Sequence, residues 1–392
     1  MVAGYAAKQL VELGLAQGDL SIVSADDEVP YERPPLSKSF LAGKDNEDAI
    51  RISPADFYRE HKIDLRLRTE VASVDPAGKR LRLKSGGEIG YDKLVIATGA
   101  RPITFDAPGS SLKGIHYLRS MGDSRRIRDH AKNAKRAVVI GGGFIGMEVA
   151  AVLAQKGLDT TMIIREDRIW ARFFTPEMSR FFETYYIQRG VKIERKTGVE
   201  AFGGDGAVAW VRLAGGRQIP CDMVVAGIGV KPVTEVLASS GIEVSEGVMV
   251  NEYLETSRPD VCAAGDVANY NDVLYGKRRR VEHWDNAVSQ GQHCARILMG
   301  ERKPFVHVPY FFSDVFDLSY EFWGDTAGAE QTITRGDINT NSFSVWWLVG
   351  QRLAAAFVMN RPDDERTAAP QWIESKQAVA AEKLRDGSHP LT

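Results

Sequence analysis

The hydrophobic pattern of residues 136–164 predicts two strands joined by a glycine-rich turn and a helix. Residues 136–140 form a short β-branched run, which is typical of a buried parallel strand. Residues 141–146 follow at once and are rich in glycine, and residues 147–156 carry apolar side chains at helical spacing. Residues 160–164 then read as the next strand. This succession indicates a nucleotide-binding βαβ unit.

The chain contains a second, similar copy of this pattern. The matched segments are residues 2–14 with 144–157, residues 21–23 with 162–164, and residues 91–102 with 221–232. Because independent matches occur in the same order, we predict two copies of one nucleotide-binding architecture.

These patterns predict an α/β fold with two doubly wound nucleotide-binding domains and a C-terminal α+β domain. The aromatic-rich tail has an alternating pattern at residues 342–349, a loop is expected at 362–370, and the last residues are expected to be mobile. The expected domains are FAD-binding (residues 1–115 and 246–308), NAD(P)-binding (116–245) and a C-terminal α+β interface domain (309–392).

The charge balance and the cysteines of the chain indicate which partners and which cellular compartment to expect. The 392 residues hold 50 Lys+Arg and 52 Asp+Glu, so this near-balance gives no reason to expect a nucleic-acid or membrane partner. No apolar run reaches the ~20 residues that a membrane span needs. Cys221, Cys262 and Cys294 form no CxxC pair and suit no zinc site, so we expect buried thiols, no metal and a cytoplasmic protein. The same spacing disfavours disulfide-reductase chemistry.

The strongest motif is Gly141-x-Gly143-x-x-Gly146, with Phe144 and Ile145 inside it. Its glycines are predicted to allow a tight turn, to let the backbone approach a pyrophosphate, and to let the helix pack on the strand. The helix N-terminus offers N–H groups to the anion. The predicted strand before it and helix after it favour dinucleotide binding over a structural turn.

The position that reads the cofactor ribose lies about twenty residues farther on. Arg165, Glu166 and Asp167 stand there. An acid at this position favours the NADH hydroxyl and an arginine the NADPH phosphate, so the choice stays open. The two acids favour NADH.

Two strand ends with glycine resemble the walls of a flavin site. Thr98 and Gly99 follow one buried strand, and Gly265 and Asp266 follow another. Asp266 adds a carboxylate that suits sugar hydroxyls. In this order, the pair indicates an enzyme that holds two dinucleotides.

Several longer motifs resemble the FAD-dependent ferredoxin and rubredoxin reductases, a family that includes apoptosis-inducing factor and monodehydroascorbate reductase. The resemblance covers nearly the whole chain. The motifs that carry it are residues 30–38 (PYERPPLSK), 97–102 (ATGARP), 141–148 (GGGFIGME), 263–268 (AAGDVA) and 281–287 (VEHWDNA).

The resemblance implies FAD and an NAD(P)H cofactor and a set of contact residues. It places Lys38 near the isoalloxazine, Glu148 across from Lys38 beside the nicotinamide, and Phe312 over the flavin ring. Lys38 and Glu148 are the implied catalytic residues. The implied cofactor-binding residues are Gly4, Asp26, Arg33, Lys38, Val71, Thr98, Gly99, Arg101, Gly141, Gly143, Phe144, Ile145, Gly146, Glu148, Arg165, Glu166, Asp167, Gly229, Gly265, Asp266, Glu282, His283, Trp284 and Phe312.

Several of these residues also have an explanation that involves no cofactor. Arg33 and Lys38 would also serve as ordinary loop cations, and His283 as a buried structural histidine. Glu148 would also serve as an acid at a helix N-terminus, and Phe312 as core. The basic run at residues 277–280 suits either an acidic protein partner or a solvated loop.

The chain departs from the family pattern at its start. The family opens with a strand and a complete GxGxxG, whereas here only Gly4 corresponds to it. The piece that residues 136–143 supply in the second copy has no counterpart. We therefore expect the protein to begin upstream of Met1, and the chain as written to bind FAD poorly and to be unstable. Ala25 stands where the family usually has an acid, and Asp26 is expected to take its role.

The implied reaction is hydride transfer from NAD(P)H to FAD, followed by single-electron transfer to a small iron–sulfur carrier such as a ferredoxin or rubredoxin. Lys38 would stabilise negative charge on the flavin. A monodehydroascorbate reductase is an alternative, but Val288 and Phe312 replace the arginine and tyrosine that such enzymes use. A redox-sensing flavoprotein resembling apoptosis-inducing factor is another. The protein is expected to be a monomer or homodimer.

Overall fold

The computed structural model describes residues 1–171, 173–387 and 389–391, and the chain forms two compact units. The first unit comprises Met1–Arg33, Asn46–Arg101 and Val230–Pro309. The second comprises Pro34–Asp45, Pro102–Gly229 and Tyr310–Thr392. The C-terminal segment thus groups with the second copy of the repeat, and a short piece of the first copy joins them. The functional division into three domains remains a prediction.

The elements are numbered along the chain. The helices are α1 (Val2–Glu12), α2 (Ser39–Ala42), α3 (Ala55–Glu60), α4 (Met121–Ala131), α5 (Phe144–Gln155), α6 (Pro176–Gln188), α7 (Trp284–Leu298), α8 (Asp363–Ser375) and α9 (Ala381–Arg385). The strands are β1 (Ser21–Val23), β2 (Asp64–Arg66), β3 (Val71–Asp75), β4 (Arg80–Leu83), β5 (Glu88–Gly90), β6 (Leu94–Ile96), β7 (Ala100–Pro102), β8 (Ile115–Tyr117), β9 (Arg136–Ile140), β10 (Asp159–Ile163), β11 (Lys192–Glu194), β12 (Val199–Gly203), β13 (Trp210–Leu213), β14 (Gln218–Pro220), β15 (Met223–Ala226), β16 (Val230–Pro232), β17 (Val248–Met249), β18 (Val261–Ala263), β19 (Ala268–Asp272), β20 (Lys277–Arg279), β21 (Tyr310–Val315), β22 (Leu318–Gly324), β23 (Gln331–Asp337), β24 (Ser342–Val349) and β25 (Arg352–Met359).

A parallel sheet organises the nucleotide-binding part of the second unit. Its strand order is β11-β10-β9-β15-β8, and all pairs are parallel. The central strand β9 is buried from Ala137 to Ile140, as its apolar sequence predicts. Helix α5 follows β9 directly. The doubly wound α/β arrangement predicted for this segment is confirmed.

The C-terminal segment of the second unit is an antiparallel sheet in the order β21-β22-β25-β24-β23. Strand β24 has the bounds that the sequence predicts, but it is buried on both faces. Phe343 packs against Phe181 of α6 with ring centroids 5.5 Å apart, and Trp346 lies 5.9 Å from Trp372 of α8. Because a helix covers each face, the strand shows no polar alternation in burial.

The loop predicted at residues 362–370 is wrong, because helix α8 begins there. Pro362 stands at its N-cap, and three acids occupy its first turn, where the helix dipole favours them. Ala368, Ala369, Trp372 and Ile373 are buried, so packing outweighs the proline inside the helix. The expectation of a mobile tail is also wrong for the described residues, since α9 forms and Leu391 is buried.

The first unit contains the other copy of the repeat. Helix α1, strands β1 and β2, the meander β3-β4-β5 and strand β6 follow the order of α5, β10, β11, β12-β13-β14 and β15. Helix α1 packs against α7, where Gly291 leaves room for the backbone of Val2. Strands β1–β2 and β18–β6 form two parallel pairs. Among the described residues, every helix is too short or too polar to span a bilayer.

Candidate functional site

The turn between β9 and α5 explains the three motif glycines separately. Gly141 has φ of +117°, and a Cβ atom there would overlap the carbonyl oxygen of Gly227. A Cβ atom on Gly146 would overlap the carbonyl oxygen of Gly141. Gly143 caps α5, is exposed, and has nothing within 4 Å of its Cβ position. The first and last glycines therefore close the turn, and Gly143 leaves space for a ligand at the helix N-terminus.

The other predicted nucleotide contacts of the second unit lie around this turn. Ile145 is exposed, and its Cβ lies 3.7 Å from where a Cβ on Gly227 would stand. Gly229 has φ of +112° just beyond β15. Both lie at the carboxyl edge of the parallel sheet, where ligands bind in open α/β folds.

The predicted ribose-reading residues follow β10. Arg165, Glu166 and Asp167 are all exposed. Asp167 pairs with Arg168 at 3.2 Å. Acidic and basic side chains are both present at residues 165–168, so the preference for NADH stays a prediction.

Glu148 lies at the centre of a buried polar network in the second unit. Glu148 is 4% exposed, and its carboxylate accepts hydrogen bonds from Ser37 and, at 2.6 Å, from Ser313 of β21. Lys38 Nζ lies 3.3 Å from Glu148 Oε1, the oxygen that Ser313 also contacts. The same ammonium lies 5.1 Å from the centroid of the Phe312 ring. The structure thus brings together three predicted residues, Lys38, Glu148 and Phe312.

Sequence reasoning missed the two serines of this network. Ser37 adjoins Lys38 in the motif at residues 30–38, and Ser313 follows Phe312, so adjacency to predicted residues was the available signal. Their hydroxyls matter because a buried carboxylate needs donors for its lone pairs.

Phe144, a predicted cofactor contact, packs among other aromatic rings. Its centroid lies 4.5 Å from that of Phe311, 5.6 Å from Trp170 and 5.9 Å from Phe173. Because Phe311 belongs to β21, this cluster joins the start of α5 to the C-terminal sheet.

In the first unit, Asp26 lies after β1, as the ribose role requires. Its carboxylate accepts a 2.8 Å bond from the Tyr31 hydroxyl and a 3.2 Å bond from the Glu28 amide. Arg33 lies over the Tyr31 ring at 5.5 Å. These contacts order the loop that carries the predicted FAD-contacting residues.

Glu32 is a further residue that the sequence analysis missed. It accepts hydrogen bonds from Tyr5 of α1 and from the Trp284 indole of α7. Burial, with the Glu32 contact second, raises the pKa of Tyr5 above its usual range. Gly4 lies nearby, and a Cβ on it would stand 2.7 Å from Pro30 Cβ, so packing alone accounts for this glycine.

The strand end after β6 is tied to the segment that follows β16. Thr98 Oγ1 donates a 2.6 Å bond to the Val233 carbonyl, and Gly99 has φ of +67°. Arg101 pairs with Glu235, and this hydrogen bond lowers the pKa of Glu235 to about 2. Val71, at the start of β3, is half-buried against the core of this unit.

The other strand end with glycine, which follows β18, contacts the buried face of α7. The Gly265 amide donates a 2.7 Å bond to Gln290 Oε1. Gln290 Nε2 and Asn286 Oδ1 have no hydrogen-bond partner among the described residues, although both side chains are at most 1% exposed. Asp266 directly follows Gly265. An orphaned buried donor and acceptor fit a polar, hydroxyl-bearing chain such as that of FAD.

Glu282, His283 and Trp284 lead into α7. Arg280 pairs with Glu282 and donates a 3.0 Å bond to the Asp266 carbonyl. Burial lowers the pKa of His283 to about 4, so the ring is neutral near pH 7.

The basic run at residues 277–280 is mostly a strand rather than a loop, because β20 covers residues 277–279, and Lys277 and Arg278 are exposed. Arg278 donates to the carbonyls of Val250 and Asn269 at 2.8 and 2.6 Å. Arg279 pairs with buried Asp272 at 2.8 Å. These side-chain contacts link β20 to β19 and to Val250, the residue after β17.

The family of the chain follows from comparison with known proteins. Residues 2–291 match the model of the pyridine nucleotide-disulphide oxidoreductases, and residues 310–392 match the reductase C-terminal domain. The chain is 35% identical over 390 residues to rhodocoxin reductase of Rhodococcus erythropolis, covering 99% of this chain and 91% of that protein.

Two further comparisons agree with this match. Monodehydroascorbate reductase of Pisum sativum is 36% identical over 405 residues, covering 96% of this chain and 93% of that protein. The structure of the covalent putidaredoxin reductase–putidaredoxin complex aligns with a TM-score of 0.95 at 32% identity, covering all of this chain and 95% of that one. The chain therefore belongs to the pyridine nucleotide-disulphide oxidoreductase family, as an FAD-dependent NAD(P)H oxidoreductase with a reductase C-terminal domain.

Proposed function

We propose that this protein passes electrons from NAD(P)H, by way of FAD, to a small iron–sulfur carrier of the ferredoxin type. The observation that carries the proposal is the pair of half-buried Lys38 and buried Glu148, because it places a cation and its anchor one turn from the nucleotide-binding end of α5. The similarity to rhodocoxin reductase and to the putidaredoxin reductase complex supports an iron–sulfur acceptor.

The residues of the second unit bind and orient the pyridine nucleotide. The open backbone at Gly143 and the N-terminus of α5 receive the pyrophosphate. Exposed Glu166 and Asp167 receive the ribose and favour NADH. Ile145 and Gly229 line the approach to the sheet edge.

The residues predicted to contact FAD have two proposed tasks. Some position the hydroxyl-bearing chain of FAD, and others set the charge beside its ring. Asp266, with the unpaired atoms Gln290 Nε2 and Asn286 Oδ1, fits the hydroxyl-bearing chain. Bound FAD supplies the chemistry that accepts a hydride and delivers single electrons. Lys38 provides positive charge that favours electrons on the ring, and Glu148 holds that ammonium in place.

We also propose that the protein is located in the cytoplasm. Cys221, Cys262 and Cys294 are buried free thiols, which supports the expected reducing cytoplasm.

A second candidate is reduction of the monodehydroascorbate radical, which the pea relative favours. Against it, hydrophobic Val288 and Phe312 replace the arginine and tyrosine expected for ascorbate. An apolar residue at each position offers no charge to the anionic radical, so we favour the iron–sulfur carrier.

The test is a comparison of acceptors at matched flavin content. FAD-loaded protein would be mixed with NADH and either a [2Fe–2S] ferredoxin coupled to cytochrome c, or monodehydroascorbate generated by ascorbate oxidase. Fast turnover with ferredoxin and slow turnover with the radical is expected. Faster turnover with the radical would favour the second candidate, and a long-lived reduced complex that turns over with neither would favour a redox sensor.

A further inference from the structure

The two acceptor oxygens of Glu148 have different partners. Oε2 accepts from Ser37, whereas Oε1 is shared between Ser313, at 2.6 Å, and Lys38, at 3.3 Å. The distance from Lys38 is long for a charge-assisted N–H···O bond, which normally spans about 2.7–2.9 Å. The serine hydroxyl therefore holds the nearer position on the shared oxygen.

Ser313 lies in a paired strand of the C-terminal sheet. It is fully buried on β21 and faces Tyr320 in the register of the β21–β22 pair. The preceding residue, Phe312, places its ring 5.1 Å from the same ammonium. Two successive residues of the C-terminal sheet thus contact the two halves of one ion pair.

We propose that Ser313 is a positioning residue that sets how tightly Lys38 is held by Glu148. By occupying Oε1, its hydroxyl limits how closely the ammonium approaches the carboxylate. The Lys38 charge consequently remains available to a group beside it rather than being neutralised in a close pair. The inference rests on the proposed function, in which that group is the flavin.

The direction of the effect follows from the shared oxygen. Ser313→Ala would leave Lys38 as the sole partner of Oε1, so the ammonium would move toward the carboxylate. The flavin would then have less positive charge nearby, and its electrons would be held less firmly. We expect a more negative midpoint potential, and a limiting rate of flavin reduction by NADH that falls by up to about tenfold. The NADH dissociation constant should change by less than about twofold, since Ser313 lies outside the predicted nucleotide contacts.

The experiment compares Ser313→Ala, Ser313→Thr and a matched control, Ser344→Ala. Ser344 is a fully buried serine of the same sheet, and its hydroxyl accepts a 2.8 Å bond from Trp346 Nε1. Dye-linked titration gives the midpoint potential and stopped-flow gives the limiting rate. The Thr variant should restore both values, and the Ser344 control should lower thermal stability without moving the potential.

A second readout needs no flavin. Lys38 labelling by an amine-reactive reagent, quantified by mass spectrometry in FAD-free protein, should slow in Ser313→Ala because the ammonium is more tightly paired. Unchanged labelling and unchanged potential in that variant would overturn the inference while leaving the proposed function intact. A wild-type protein that binds FAD but is not reduced by NADH would instead refute the proposed function.

Discussion

Gly146 lies against Gly141 at the first turn of α5 so closely that a Cβ atom on Gly146 would overlap the Gly141 carbonyl oxygen. Gly143, between them in the motif, has open space at the same position. One motif therefore contains a glycine required for packing and a glycine required only for access. The motif shows both positions only as glycine, but we expect substitutions at Gly146 to affect stability and substitutions at Gly143 to affect nucleotide binding.

Gly146→Ala should destabilise the protein by about 1–3 kcal/mol, because the helix must move away from the turn. Gly143→Ala should change stability by less than about 0.5 kcal/mol, yet weaken NADH binding by about tenfold or more, since its methyl group enters the space for the pyrophosphate. Urea unfolding and titration of NADH would measure the two effects. Tight NADH binding by Gly143→Ala would contradict the placement of the nucleotide at this turn.

Replacing Glu166 and Asp167 together with alanine tests the preference for NADH. Both side chains are exposed beyond β10, with Arg165 and Arg168 on either side. Removal of the acids leaves positive charge that suits the NADPH phosphate, so KM for NADH should rise about tenfold and KM for NADPH should fall. Steady-state reduction of ferricyanide with each cofactor would give both values. A variant whose two KM values equal those of the wild type would show that the ribose is read elsewhere.

The sequence predicts the elements that residues adjacent in the chain determine. It does not predict contacts between residues that are far apart in the chain. Strand β9 and the glycine turn follow from residues adjacent in sequence. Ser313, however, reaches Glu148 from 165 positions away, which no local pattern encodes. The loop predicted at residues 362–370 differs from helix α8 because burial of Trp372 and Ile373 against other elements stabilises the helix despite Pro370.

A buried ion pair holds the C-terminal segment. Arg335 is 3% exposed and lies 2.8 Å from Glu365, which is fully buried and also pairs with Arg361. The Arg335 guanidinium further donates to the carbonyls of Asp386 and His389. It therefore links α8 to the residues that follow α9.

Arg335→Met should lower the free energy of unfolding by about 3 kcal/mol, because Glu365 and the carbonyls of Lys383, Asp386 and His389 each lose a donor in a buried setting. Hydrogen exchange at residues 381–387 should accelerate before it does in the rest of the second unit. Arg366→Met is the matched control, because Arg366 lies on α8 next to Glu365, the partner of Arg335. Its partly exposed pair with Glu321, at 2.7 Å, should contribute at most about 1 kcal/mol. Equal losses in the two variants would contradict the anchoring role of Arg335.

The His116–His130 contact should make the protein less stable in mild acid. The ring nitrogens Nε2 and Nδ1 lie 2.8 Å apart. Burial, with the nearby His130 and Arg126 charges, lowers the pKa of His116 to about 4, while Asp123 opposes the shift. An unfolded histidine titrates near 6.5, so between about pH 4 and 6.5 the unfolded chain binds more protons. Stability contributed by this site is therefore complete above pH 6.5 and falls as the pH drops toward 4.

His116→Phe should remove this dependence. The slope of unfolding free energy against pH between 4.5 and 6.5 should fall by at most about 1.4 kcal/mol per pH unit, reduced by the solvent that reaches the ring. Tyr117→Phe is the control on the same strand, since it loses the bond that its hydroxyl accepts from the Phe105 amide at 2.9 Å. That variant should lose similar stability at every pH in the range. An unchanged slope in His116→Phe, measured by urea unfolding at each pH, would show that other groups cause the acid sensitivity.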